Sequence, residues 1–120
     1  MGNKNIKWYK VADNKNEINW QQNNLAVIEA GGKKITLAKI GDELLFACAY
    51  KCPHASGILA DGFIDATGNI VCPLHRYKFN LLTGRNISGE GYYLKVFAVE
   101  EREAGIFIGF EESSWLNIFK

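Results

Sequence analysis

The sequence predicts an all-β fold, either a sandwich or a barrel of antiparallel strands. Short runs rich in β-branched and aromatic residues recur along the chain, and turn signals containing glycine or asparagine separate them. Several of these runs alternate between two faces, as half-buried strands do. Many short strands joined by such turns are typical of β-sandwiches and β-barrels. At 120 residues, the chain is long enough for one domain with its own core.

The N-terminal half contains the clearest strand signals. Gly31-Gly32 lies between two apolar runs and predicts a two-residue hairpin, because both turn positions need positive φ. The preceding segment, Asp13–Asn24, is rich in Asn, Lys and Gln and is expected to be a loop, with Trp20 packing inward. The predicted strands are Lys7–Ala12, Leu25–Ala30, Lys33–Ile40 and Leu44–Ala49.

The C-terminal half contains shorter strand signals. Thr67-Gly68 predicts a turn, Gly84–Gly91 a flexible connection and Glu100–Ala104 another turn. The tail, Glu111–Lys120, has no assigned element but is apolar enough to dock onto the body. The predicted strands are Gly57–Asp65, Asn69–Val71, Tyr77–Leu81, Tyr92–Val99 and a last one with Ile106, Ile108 and Phe110 on one face.

Composition excludes several classes of function. The formal net charge is +1, whereas a nucleic-acid-binding domain needs a strongly basic face. No apolar run approaches the ~18 residues of a membrane span. The first residues, Met1–Ile6, contain no apolar signal-peptide core. We therefore expect a cytoplasmic protein with no membrane or nucleic-acid partner.

Two short loops concentrate the residues that can bind a metal. The first is Cys52-Pro53-His54 and the second is Cys72-Pro73-Leu74-His75. The chain has two histidines and three cysteines, so these loops contain every histidine and all but one thiol. Random placement would seldom produce two matching Cys-Pro loops, and the pattern therefore predicts a metal site.

The ligand types alone leave two kinds of metal site open. Two thiolates and two imidazoles suit tetrahedral zinc. Zinc fingers, however, usually pair cysteine with cysteine and histidine with histidine, whereas each loop here has one of each. Such mixed loops suit a binuclear centre, in which one iron takes both cysteines and the other takes both histidines.

The two loops, with the 17 residues between His54 and Cys72, resemble the Rieske [2Fe–2S] signature, and Phe79 and Leu82-Thr83-Gly84 extend the likeness. The resemblance implies a Rieske-like antiparallel β-sandwich or barrel with an inserted cluster-binding subdomain. The subdomain would cover about residues 45–85, and the base residues 1–44 and 86–120. In such a site Cys52 and Cys72 would hold the inner iron, and His54 and His75 the outer one.

Departures from the family's subclasses favour a low-potential ferredoxin. Respiratory and photosynthetic Rieske proteins have a disulfide between the loops, but the matching positions here look like Gly57 and Leu74. Those proteins also place Ser and Tyr hydroxyls near the cluster, at positions that hold Tyr77 and Phe79 here. With fewer donors to the sulfurs, we expect a potential at the low end of the Rieske range, roughly −150 mV.

A further departure is Arg76, because the family commonly has Gly directly after the second ligand histidine. Its long cation is either a solvated side chain or, together with Lys78, part of a positive rim around His75 that docks an acidic partner.

The resemblance implies a soluble one-electron carrier between a flavin-dependent NAD(P)H reductase and a terminal oxygenase. The chain is not expected to be an enzyme, because a Rieske oxygenase also needs a mononuclear iron with two further histidines and a carboxylate. The alternatives are a small subunit resembling that of nitrite reductase and a zinc-stabilised binding module without redox function.

Other reactive side chains are expected to be structural. Cys48 lies in an apolar run and is predicted to be a small buried hydrophobe. Asp61 and Asp65 are predicted to be turn and surface residues.

Overall fold

The computed structural model describes residues 5–53, 57–74, 76–89 and 91–112, and these ranges contain nine β-strands and two 3₁₀ turns. The 3₁₀ turns are Lys15–Glu17 and Leu59–Asp61. The strands are β1 (Asn5–Ala12), β2 (Leu25–Ala30), β3 (Lys33–Ile40), β4 (Leu44–Ala49), β5 (Phe63–Ile64), β6 (Asn69–Val71), β7 (Lys78–Asn80), β8 (Val96–Arg102) and β9 (Gly105–Glu112).

Six of the strands form a curled antiparallel sheet in the order β1-β9-β8-β4-β3-β2. Strand β8 joins its two halves: Val96 and Phe97 pair with β4, whereas Ala98–Arg102 pair with β9. The predicted all-β antiparallel fold is therefore confirmed.

A smaller antiparallel sheet, β5-β6-β7, lies in sequence between β4 and β8. Strands from before and after it make up the six-stranded sheet, so the chain leaves that sheet after β4 and returns to it at β8. The division into a base and a subdomain with the boundaries given above remains a prediction, and β4 belongs to the large sheet.

Strand β3 has buried residues on both faces, and a hydrophobic cluster covers each face. Ile35 and Leu37 belong to a cluster with β9 residues such as Ile106 and Ile108. Ala38 belongs to the other cluster, which contains Leu25, Cys48, Leu59, Phe79 and both loop cysteines. Because successive side chains on a strand point to opposite faces, β3 connects the scaffold core with the core beneath the two loops.

The β2–β3 hairpin has the predicted boundaries. Gly31 and Gly32 adopt φ of +58° and +82°, as a two-residue turn with two positive φ values requires. Strand β4 also begins and ends as predicted. Trp20 is half-buried, and its indole N–H donates to the Lys15 carbonyl at 3.0 Å, which agrees with the expected inward packing.

The predicted strand Gly57–Asp65 is wrong over most of its length. Leu59–Asp61 forms a 3₁₀ turn, and the strand is confined to Phe63–Ile64. Leu59 and Ala60 are buried side by side, which an extended strand with alternating faces would not allow on a one-sided sheet. Tertiary packing therefore overrides the apolar strand pattern here.

The strand predicted at Tyr92–Val99 begins later and ends later than expected. The Leu94 N–H donates to the Gly84 carbonyl at 2.8 Å, so this part of the chain contacts the turn that follows β7 before β8 begins at Val96. Strand β8 then continues to Arg102, so the turn predicted at Glu100–Ala104 is shorter than expected and contains only residues 103 and 104. The Arg102 guanidinium stacks on Trp8 and Phe107, which explains how a charged sequence extends the strand.

The described residues contain no helix that is long and apolar enough to cross a membrane. The predicted docking of the tail concerns mainly residues 113–120, which lie outside the described ranges.

Candidate metal centre

The two sequences that are predicted to bind a metal lie in loops closed by equivalent backbone hydrogen bonds. Residues 52–57 (the first loop) connect Lys51 and Ile58, which form an antiparallel β-bridge. Residues 72–77 (the second loop) connect Val71 and Lys78, which pair at the ends of β6 and β7. Each loop is closed by a 2.8 Å hydrogen bond from the cysteine N–H to the carbonyl five residues later, Gly57 in the first and Tyr77 in the second.

The two loops bring their cysteines together in a buried position. Cys52 is 4% exposed and Cys72 is fully buried, and neither forms a disulfide. Burial raises the pKa of the Cys72 thiol to about 11. A hydrogen bond from the Leu74 backbone N–H to this sulfur lowers the pKa, whereas the contacting Cys52 thiol raises it. Metal binding requires deprotonated cysteines, so a bound metal cation would displace the proton of the Cys72 thiol.

The loops also pack closely around Cys72. A Cβ on Gly57 would lie 3.0 Å from the Cys72 sulfur and 3.2 Å from Leu74 Cγ, so any side chain at this position would push against the sulfur or Leu74. Gly57 of the first loop and Leu74 of the second are therefore neighbours. These are the two positions that were expected to match the bridging cysteines of the respiratory subclass, and neither can form a disulfide.

Of the four predicted ligands, the structure describes two. His54 and His75 lie outside the described residues. Within the described ranges, no three His, Cys, Asp or Glu side chains come together as a metal-binding group. The structure thus places the cysteine half of the predicted ligand set, and the histidine half remains a prediction.

Aromatic side chains pack together at the end of the second loop and in β7. Phe79 is fully buried. Tyr77 is half-buried, with its ring centroid 6.5 Å from that of Phe79 and 6.3 Å from that of Tyr92. The Tyr77 ring therefore packs against two other aromatic side chains.

Arg76 has an unusual backbone conformation. Its φ is +57°, in the left-handed region that glycine adopts readily and other residues at a cost of roughly 1–2 kcal/mol. The position needs a positive φ, which explains why glycine is common there in the family. Arg76 and Lys78 are both exposed.

The remaining predicted structural residues behave as expected. Cys48 is fully buried, and burial raises the pKa of its thiol to about 12, while a hydrogen bond with the Thr36 side chain lowers it. Asp61 is exposed. Asp65 accepts hydrogen bonds from Thr67 and Asn69 in the β5–β6 turn. Slight burial raises the pKa of Asp65, but these hydrogen bonds outweigh that effect and lower it to about 2.

The sequence analysis missed two residues that contact the backbone leading from the first loop. Gln21 and Asn23 donate side-chain N–H groups to carbonyls of residues 60 and 62. They lie in a polar segment that was expected to be a loop. An Asn or Gln that contacts a distant backbone has no sequence signal, because the partners are about 40 positions away and are main-chain atoms.

The described residues fit the iron–sulfur centre that the resemblance implies. Two free, buried thiols lie in contact, one from each loop, and a backbone N–H points at one of the sulfurs. Gly57, which has no side chain, packs directly beside that sulfur. Two cysteines from two loops are what the inner iron of a binuclear cluster with mixed ligands requires.

Comparisons with known proteins agree with this geometry. The sequence profile of the Rieske [2Fe–2S] domain matches residues 7–97. A curated relative from Ralstonia sp. is the ferredoxin component of naphthalene 1,2-dioxygenase/salicylate 5-hydroxylase systems. It is 33% identical over 58 residues, which cover 48% of this chain and 54% of the relative. The chain thus spans about half the length of this relative.

Two solved structures share the fold. The ferredoxin of carbazole 1,9a-dioxygenase from Nocardioides aromaticivorans IC177 aligns with a TM-score of 0.71 at 21% identity, covering 85% of this chain and 96% of that one. The putative small subunit of an NADPH nitrite reductase aligns with a TM-score of 0.71 at 19% identity, covering 85% and 97%. The profile match spans most of the chain, including both cysteine loops. The chain belongs to the Rieske [2Fe–2S] domain family, whose [2Fe–2S] cluster is bound by cysteine and histidine.

Proposed function

We propose that Cys52 and Cys72, together with His54 and His75, bind one [2Fe–2S] cluster and that the protein is a one-electron carrier. The contact between the two buried cysteines at equivalent positions in two loops carries this proposal. When bound, the cluster accepts and releases a single electron. All three described cysteines are free, and free thiols suit the reducing cytoplasm, the compartment we propose.

The residues around the cysteines hold and tune the site. The loop-closing hydrogen bonds at Gly57 and Tyr77 fix the backbone on which each cysteine is placed. The Leu74 N–H donates to the Cys72 sulfur and would stabilise extra negative charge there. Pro53 and Leu74 are exposed, so each loop presents a solvent-exposed residue close to its cysteine.

We propose that the partners are a flavin-dependent NAD(P)H reductase, which supplies the electron, and a terminal oxygenase, which receives it. The curated relatives are ferredoxin components of dioxygenase systems, and this supports an oxygenase as acceptor. A nitrite reductase is the second candidate, because a putative small subunit of that enzyme shares the fold. Incubation of the reduced protein with each type of enzyme separates the two, since only the true acceptor reoxidises it rapidly.

The reduction potential of the cluster follows from the residues after the second loop. We expect a midpoint potential near the low end of the Rieske range, about −150 mV, because Phe79 offers no hydroxyl to stabilise the reduced state. An EPR-monitored redox titration measures it. A midpoint above about +100 mV, well into the upper part of the Rieske range, would contradict the assignment as a low-potential ferredoxin.

The close contact at Gly57 predicts a defect in cluster binding. In Gly57→Ala the new Cβ would lie 3.0 Å from the Cys72 sulfur and would displace it or Leu74. Overpacking of about 1–3 kcal/mol should speed cluster loss by roughly fivefold or more. Bleaching of the visible absorbance in the presence of an iron chelator measures the rate. Gly91→Ala is the matched control, since a Cβ there meets nothing within 4 Å; equal rates in both variants would refute the prediction.

Arg76 and Lys78 give the second loop a positive rim. Both side chains are exposed, and neither is in an ion pair within the described part of the chain. Arg76 also keeps a backbone conformation that glycine would adopt at lower cost. We propose that these cations attract an acidic partner surface to the loop that contains His75.

This rim can be tested with small oxidants of opposite charge. Arg76→Glu/Lys78→Glu should slow oxidation of the reduced protein by ferricyanide, an anion, roughly tenfold at low salt and much less at high salt. Oxidation by hexaamminecobalt(III), a cation, should become faster, and stopped-flow absorbance measures both rates. Lys7→Glu/Lys10→Glu on β1, which pairs with β9, changes the net charge equally and should have little effect. If both double variants behave alike, the rim has no role of its own.

A further inference from the structure

The segment Gln21–Leu25 is anchored to the large sheet at the start of β2. The Gln21 N–H donates to the Leu25 carbonyl at 2.9 Å, and the Asn24 N–H to the Gln21 carbonyl at 3.0 Å. Lys39 of β3 donates its N–H to the Asn24 carbonyl at 3.0 Å. Asn24 has a φ of +65°, which asparagine tolerates better than most residues. Residues 21–25 therefore form a turn that backbone hydrogen bonds hold to the large sheet, and we call it the scaffold turn.

Asn23 uses the full hydrogen-bonding capacity of its side-chain amide. Its Nδ2 donates to the carbonyls of Ala60 and Gly62, each at 2.9 Å. Its Oδ1 accepts from the Leu25 N–H and from Gln21 Nε2, both at 3.1 Å. Gln21 Nε2 also donates to the Ala60 carbonyl, at 2.7 Å. Three hydrogen bonds thus connect the scaffold turn to residues 60–62, almost 40 positions along the chain.

Residues 59–62 lie between the chain segments that carry the two cysteines. Leu59 donates its N–H at 3.1 Å to the carbonyl of Tyr50, two residues before Cys52. A Cβ on Gly62 would lie 1.9 Å from the carbonyl oxygen of Val71, the residue before Cys72. Gly62 therefore packs its backbone directly on the strand that leads into the second loop. A displacement of this 3₁₀ turn would move both loops relative to each other.

We propose that Asn23 is a positioning residue for the cluster, which sets the spacing of the two loops through the 3₁₀ turn at residues 59–62. The inference rests on the proposed binding of the cluster by both loops. The hydrogen bonds of the Asn23 side chain go to residues 21, 25, 60 and 62 and to neither of the two described cysteines. It acts by holding two carbonyls of the turn against the scaffold, so that Cys52 and Cys72 meet at a fixed distance.

The test compares cluster retention and cluster spectra in Asn23→Asp. Aspartate keeps the size and the two acceptor bonds of Asn23, but it replaces the donor to Ala60 and Gly62 with an oxygen that repels both carbonyls. We expect chelator-induced bleaching to become about tenfold faster. The EPR signal of the dithionite-reduced protein should broaden or shift its g values, because the geometry at the irons is no longer held uniformly.

Asn14→Asp is the matched control. Asn14 is exposed, and its side chain accepts one hydrogen bond from the Asn16 N–H in the other 3₁₀ turn. We expect its bleaching rate and EPR spectrum to equal those of the unaltered protein. Gln21→Ala removes one of the three bonds to the turn and should speed bleaching about threefold; it carries the test if Asn23→Asp fails to fold.

The outcomes separate this inference from the proposed function. If the unaltered protein binds no iron and gives no EPR signal, the proposed cluster site is wrong. If the unaltered protein has the cluster but Asn23→Asp and Gln21→Ala match it in bleaching rate and g values, Asn23 does not position the loops. A lower thermal midpoint with unchanged g values and bleaching rate would also overturn the inference, since that result indicates a purely structural contact.

Discussion

The structure depends on one constraint, the contact between two cysteines twenty positions apart in two separate loops. Both side chains are buried, so each loop must approach the other closely enough to exclude solvent from a pair of sulfurs. In each loop the cysteine N–H donates to the carbonyl five residues later, so both cysteines have the same backbone anchor. Gly57 of the first loop lies directly beside the Cys72 sulfur, where an added Cβ would be only 3.0 Å from it.

The rest of the fold supplies a rigid support for this contact. Strands β6 and β7 hold the second loop, and the bridge between Lys51 and Ile58 holds the first. Beneath them, a single hydrophobic cluster contains both cysteines together with Phe79 and residues of β3. The hydrogen bonds of Asn23 connect the same region to the large sheet. The cysteines therefore sit on a packed core, as a site that must hold a cofactor in fixed geometry requires.

The sequence predicts the scaffold well where local signals and tertiary packing agree. Strands β2, β3 and β4 have the expected boundaries, because Gly31-Gly32 determines the turn and alternating side chains fit the two faces of the sheet. Both cysteine loops were also predicted, since Cys-Pro pairs with a following histidine are rare by chance. For these parts, residue type and spacing carry the information.

Prediction failed where backbone atoms of distant segments decide the conformation. The apolar run containing Leu59 and Ala60 resembles a strand, but its carbonyls accept hydrogen bonds from Gln21 and Asn23 and the run folds as a 3₁₀ turn. Likewise, the Leu94 N–H donates to the Gly84 carbonyl, and β8 begins at Val96 instead of at the predicted Tyr92. Contacts between a side chain and a distant main chain leave no mark on either partner's sequence. The contact between Asn23 and the turn was therefore visible only in three dimensions.

An EPR spectrum of the dithionite-reduced protein, taken with iron and acid-labile sulfide contents, tests the central claim most directly. If the two loops together bind one cluster, the protein will contain about two irons and two sulfides per chain, and its signal will be rhombic with the low average g of histidine-ligated [2Fe–2S] centres. A colourless, EPR-silent protein with about one zinc per chain would show instead that the loops form a structural zinc site.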